Sequence, residues 1–138
     1  RWVAGADVGA RITWAAGLTA GLGLTDVMDV VYRLVGTSLA TQESVPAAFA
    51  VAAASPADPW LACRIAASLG GDCDTIAAMT GAICGACHGV DAFPADAVAT
   101  VTRVNDLDLA GLADGLLAVR AGAGLPMAGL PGDHDAAG

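Results

Sequence analysis

The sequence predicts an all-α fold, a compact multi-helix bundle of six or seven short helices. Three observations carry this reading. Ala and Gly dominate the composition, and Ala is the best helix former. Alternating Val-rich runs, which strands require, are few. Gly, Pro and capping residues cut the chain into segments of helical length. The 138 residues suffice to bury a core, and a core built largely of Ala lets helices approach closely.

The elements follow in order. Asp7 to Thr19 reads as the first helix, with Ile12, Ala15, Ala16 and Thr19 on one face, and Gly21-Leu-Gly23 breaks it. Thr25 is the expected cap of a second helix, with Asp26 in its first turn and Gly36 as its stop. Val27, Val30, Val31, Leu34 and Val35 follow helical spacing. Thr37 to Gln42 reads as a polar loop. Ser44 is then expected to cap a helix with Pro46 in its first turn, running to about Ala54. Ser55-Pro-Ala-Asp58-Pro59 forms a turn and starts a helix through Trp60, Cys63, Ile65 and Leu69, which Gly70-Gly71 ends. A long helix runs from about Thr75 to His88. Pro94 opens another to Val104, and Leu109 to Arg120 forms the last. Residues 1–121 are expected to form one body. The Gly-, Pro- and Asp-rich segment 122–138, which includes His134, is expected to fray.

The net charge of −8, with no Lys and six dispersed Arg, argues against a nucleic-acid partner, because a phosphate backbone calls for clustered cations. The longest uncharged stretch, Thr75 to Val90, is shorter than the ~18–20 apolar residues of a membrane span, so no membrane partner is expected. No signal peptide is visible, and a cytoplasmic protein is the expectation. Cys84-Gly-Ala-Cys87-His88 matches the spelling of a c-type haem site, yet haem attachment requires export. Zinc sites usually need paired ligand clusters. Buried free thiols are therefore the favoured reading of Cys63, Cys73, Cys84 and Cys87.

The chemistry concentrates in Gly70-Gly71-Asp72-Cys73-Asp74-Thr75. Two glycines permit an unusual backbone path. Two carboxylates and a hydroxyl then fall within four residues at a helix start. Hard oxygen donors in this density suit Mg²⁺ or Mn²⁺, and the positive end of the helix dipole favours the carboxylates. The bland alternative is an ordinary N-cap. Behind the loop, Ala77, Gly81, Gly85 and Gly89 recur at intervals of four and give a flat face, expected to admit a neighbouring backbone closely. Trp14 and Trp60 are expected in the core, and His88 at the helix end is explained by a dipole contact.

Gly-Gly-Asp-x-Asp-Thr followed by a Gly/Ala-rich helix resembles the C-terminal signature of the ADP-ribosylglycohydrolase family. Glu43-Ser-Val-Pro46-Ala-Ala-Phe49 resembles the helix start that precedes this signature. Gly36-Thr-Ser-Leu39 falls where members have a loop lining the ADP-ribose pocket, and Gly89-x4-Pro94 also follows the pattern. The resemblance covers roughly Asp7 to Arg120. It implies an all-helical fold, of which this bundle is part, holding two Mg²⁺ or Mn²⁺ ions in a central cleft. Asp72, Asp74 and Thr75 would supply one half of the metal ligands, and Ser38 and Leu39 would touch substrate. The implied reaction is cleavage of a glycosidic bond in ADP-ribosylated substrates or related nucleoside-like compounds.

The family's N-terminal motifs, a Gly-Asp-Ala type and a Thr-Asp-Asp cluster, have no counterpart here, since Thr25-Asp26-Val27 lacks the second acid. The expectation is therefore a C-terminal part that binds metal weakly and has little activity without the missing half. A non-catalytic structural relative on the same scaffold is the alternative; the retained Asp72, Asp74 and Thr75 argue against it.

Overall fold

The computed structural model describes residues 7–122. Its elements are helices α1 (Val8–Thr19), α2 (Leu24–Val30), α3 (Thr41–Ala54), α4 (Pro59–Ala67), α5 (Cys73–His88), α6 (Ala95–Val104) and α7 (Leu109–Gly122). A π-helical turn, Val31–Val35, extends α2, and a 3₁₀ turn, Val90–Ala92, follows α5. There is no strand among the described residues, so the all-α expectation holds. The chain divides into two compact units, residues 1–98 and 99–138. In the second, the Asp108 side chain accepts from the Gly111 amide at 2.9 Å and caps α7. The expected tail beyond residue 122, with His134, lies outside the described residues. No helix among the described residues is long and apolar enough to cross a membrane.

The core belongs to the first unit. It consists of Ala15, Val27, Val31, Val35, Ala47, Ala48, Ala50, Val51, Ala62, Ile65, Ala66, Leu69, Ile76 and Cys84. Helix α3 packs against α1 and α5, and α5 packs against α4. Its alanines make this possible, because small side chains let the helix axes approach until backbone carbonyls come within reach of neighbouring hydroxyls. The buried Thr19 hydroxyl donates to the Ala50 carbonyl at 3.3 Å, and that of Thr80 donates to the Ile76 carbonyl at 2.8 Å and to Ala48 at 3.5 Å. Each threonine thus bridges to α3 while satisfying its own buried oxygen. Full burial of Ile76 contributes on the order of 2–3 kcal/mol directly behind the Asp72–Thr75 loop.

Several starts and stops fall where the sequence puts them. Asp7 caps α1 through the Ala10 amide at 3.0 Å. Asp58 caps α4 through Leu61 at 2.9 Å, with Pro59 in the first position. Others move. Gly23, not Thr25, is the N-cap of α2. Helix α3 begins at Thr41, three residues before the expected cap, and Ser44 is buried inside it with its hydroxyl donating to the Ala40 carbonyl at 3.3 Å.

Pro46 consequently sits in the helix body, where the missing N–H strips the Gln42 carbonyl of its usual partner. Arg11 from α1 replaces that partner, donating from Nε to the Gln42 carbonyl and from Nη2 to the Val35 carbonyl at 3.2 Å. This cross-helix guanidinium is what lets the longer helix tolerate its proline. The expected flat face of α5 also differs. Gly81 faces the Cys63 side chain rather than a backbone, and the buried stripe runs through Ile76, Thr80 and Cys84.

Candidate metal centre

The loop into α5 is built from its glycines. Gly70 and Gly71 take φ of 81° and 64°, a left-handed path that side chains rarely follow. Gly71 has a second constraint. A Cβ there would overlap the carbonyl oxygen of Thr37, because the two segments are in backbone contact. The Asp72 amide donates to that Thr37 carbonyl at 2.7 Å. The predicted metal loop and the predicted substrate loop are thus joined main chain to main chain.

Asp72 occupies the N-cap position of α5 but makes no side-chain cap bond. Its Oδ1 instead accepts from the Thr75 hydroxyl at 3.0 Å. Asp7, Asp58 and Asp108, at the starts of α1, α4 and α7, all turn their carboxylates onto a backbone amide three residues on. The ordinary N-cap reading therefore fails for Asp72. Asp74, exposed in the first turn of α5, has no hydrogen-bond or ion-pair partner among the described residues. Two carboxylates and a hydroxyl stand together at the positive end of a helix, with their oxygens not committed to the backbone.

Such an oxygen-only donor set fits Mg²⁺ or Mn²⁺ rather than a thiophilic ion. It is too small to enclose one: among the described residues no group of three or more His, Cys, Asp or Glu converges as a metal site. Of the thiols, Cys73 lies within this loop, between Asp72 and Asp74, and Cys63, Cys84 and Cys87 lie elsewhere. All four cysteines are free, and burial pushes the Cys63 and Cys84 thiols up, Cys84 also feeling Cys63 and Cys87.

The Gly36–Leu39 loop carries the residues predicted to meet substrate, Ser38 and Leu39. Ser38 is exposed, and Leu39 is the most exposed large apolar side chain described, at 83%. The Ser38 amide donates to Glu43 Oε2 at 3.1 Å, and its hydroxyl accepts from the Ala40 amide at 3.2 Å. Hydrogen bonds from the Ser38 side chain and backbone hold the Glu43 carboxyl below its usual range; burial opposes them and the Arg11 charge assists. Glu43 also fills the space beside Gly36, where a Cβ would fall within 2.8 Å of three of its side-chain atoms.

Sequence reasoning brought Asp72, Asp74, Thr75, Ser38 and Leu39 to this region but missed Thr37 and Arg11. The signal for Thr37 was the second glycine of Gly70-Gly71, which announces a close backbone approach without saying to what. Arg11 had its signal in Pro46, read as a first-turn proline and so as needing no partner for Gln42. Trp14 and Trp60 were expected in the core and are partly exposed, at 42% and 38%; Trp14 lies under the Arg11 guanidinium, 5.3 Å from its ring centre.

The fold and site define an all-helical protein with an acidic, oxygen-donor loop at the start of a small-residue helix. The model of the family described as ADP-ribosylglycohydrolase matches residues 2–126, and the chain belongs to that family. The uncharacterized protein YegU of Escherichia coli (strain K12) is 43% identical over 86 residues, covering 62% of this chain and 26% of that protein. The chain thus spans about a quarter of that relative's length. No solved structure matches.

Proposed function

We propose that Asp72, Asp74 and Thr75 form one half of a binuclear Mg²⁺ or Mn²⁺ site in a hydrolase that cleaves the glycosidic bond of ADP-ribosylated substrates or related nucleoside-like compounds. The observation that carries the reading is the Asp72 carboxylate, which stands at a capping position, leaves the cap unmade and turns to Thr75. Family membership supports the hydrolase class.

Each residue has a distinct part. The Thr75 hydroxyl orients Asp72 Oδ1 and leaves Oδ2 and the Asp74 carboxylate with no partner among the described residues. The main-chain bond from Asp72 to Thr37 keeps the loop from rearranging as charge accumulates beside it. Bound ions would supply a positioned, activated water and a grip on vicinal ribose hydroxyls, which suits a bond whose cleavage passes through an oxocarbenium-like state. Ser38 and Leu39, on the loop docked to Asp72, would then meet the substrate.

A calorimetric titration with Mn²⁺ on the protein with the missing half of the ligand set supplied, run beside Asp74→Ala, tests the metal role. Binding heat that disappears in the variant supports it, and release of ADP-ribose from ADP-ribosyl-arginine or ADP-ribosyl-serine would extend it to substrate. Equal heats in the two proteins would sink the metal assignment and leave a structural relative on this scaffold.

A further inference from the structure

Glu43 is the only glutamate of the chain, and its surroundings are unusually specific for a residue in the first turn of a helix. In a capping box, a glutamate at this position reaches back to the amide of the N-cap residue. Here the Ala40 amide is taken by the Ser38 hydroxyl, and Glu43 reaches past it to the Ser38 amide. Gly36 presents no side chain on that flank, so the carboxylate closes against the backbone. Arg11 from α1 is the charged group that bears on it. The same guanidinium holds the Val35 and Gln42 carbonyls on either side of the loop.

The loop is therefore pinned at both ends by Arg11 and at its middle by Glu43. Its one buried polar residue, Thr37, faces the other way. There its carbonyl accepts the Asp72 amide, and it fits the space that Gly71 leaves open. The single peptide group between Thr37 and Ser38 thus donates its N–H to Glu43 and accepts the Asp72 amide at its carbonyl. Neither Glu43 nor Ser38 touches Asp72, Asp74 or Thr75 in any hydrogen bond described.

We infer that Glu43 is a positioning residue, which sets the Gly36–Leu39 loop and, through the Thr37 carbonyl, the backbone of Asp72. Its importance for catalysis rests on the metal reading above, but the mechanical coupling does not. The fold therefore ties the loop proposed to meet substrate to the residue proposed to hold metal, with Glu43 as the anchor of both.

Amide hydrogen exchange on the full chain tests this. Replacing Glu43 by Ala removes the acceptor and should speed exchange at both Ser38 and Asp72 by about tenfold, the order expected for a hydrogen bond to a charged group. Glu43→Gln retains an acceptor of the same reach and should restore most of the protection at both amides. The Ile76 amide, which donates to the Asp72 carbonyl inside α5 at 3.1 Å, should be unchanged and so reports that the helix is intact. If Glu43→Ala unfolds the chain, Glu43→Asp, one methylene too short to reach Ser38, carries the same comparison.

The coupling is overturned if Ser38 is released while Asp72 stays protected, or if Gln fails as completely as Ala. A Mn²⁺ titration of the same proteins separates the two ideas. No binding by the unsubstituted protein even with the missing half of the ligand set supplied would defeat the metal reading while leaving the exchange result to judge the coupling. Normal Mn²⁺ binding with uncoupled exchange would defeat the inference alone.

Discussion

The starts of α4 and α5 carry the same residue type in the same position and use it in opposite ways. Asp58 turns its carboxylate onto the Leu61 amide, and Pro59 behind it contributes a preset φ. Its charge is spent on the helix. Asp72 faces an equivalent helix end and leaves it uncapped. Two glycines, an incoming carbonyl from Thr37 and the Thr75 hydroxyl replace the cap's ordering role. The comparison teaches that an aspartate before a helix is not informative by its position. What separates a capping aspartate from one that leaves its helix uncapped is where the carboxylate points and what else holds the backbone.

The strongest way to break this contrast is at Gly71. Gly71→Ala combines a left-handed φ with overlap on the Thr37 carbonyl, and should cost about 2–4 kcal/mol in urea denaturation. Next in size is the exchange of roles itself. Asp58→Ala should cost about 1 kcal/mol of stability, as other lost caps do. Asp72→Ala should change stability by less than about 0.5 kcal/mol, because no cap is removed. Mn²⁺ affinity should follow the opposite order: unaltered by Asp58→Ala and lowered at least about tenfold by Asp72→Ala. Equal stability losses at both positions would erase the distinction.

Much of the fold was legible because short-range chemistry fixed it. Asp58-Pro59 announced α4, Gly36 the end of the second helical run, and Gly70-Gly71 the break before α5; each works within a few residues. The start of α3 was missed because its evidence is long-range: Pro46 is acceptable in the helix body only once Arg11, on another helix, takes the Gln42 carbonyl. The candidate metal loop could be picked out in the same local way, since Asp72, Asp74 and Thr75 are nearly consecutive. Its backing by Thr37 could not, because no local pattern joins positions so far apart in the chain.

The smallest expected effect sharpens the comparison at the other end of that contact. Glu43 has a folded pKa below its ordinary value of 4.5. Its contribution to stability is therefore fully present above that ordinary value and is lost as pH falls through the lower folded one. The urea midpoint of the unsubstituted chain should decline over this acidic window slightly more than that of Glu43→Gln. Glu43 is partly exposed, so the difference should be modest and diminish with added salt. An identical decline in the two proteins would show that the carboxylate's ionisation contributes nothing to holding the loop.

The π-helical turn at Val31–Val35 closes with the Gly36 amide donating to the Val31 carbonyl at 2.9 Å. Such a turn spends five residues where an α-helix spends four. One added residue in an α-helix changes the exit direction of the chain by about 100°. The direction in which Thr37 leaves the helix thus depends first on chain length, like the phase of a screw thread, and Arg11 and Glu43 then hold the loop that follows. A change of one residue in the count re-aims everything that follows.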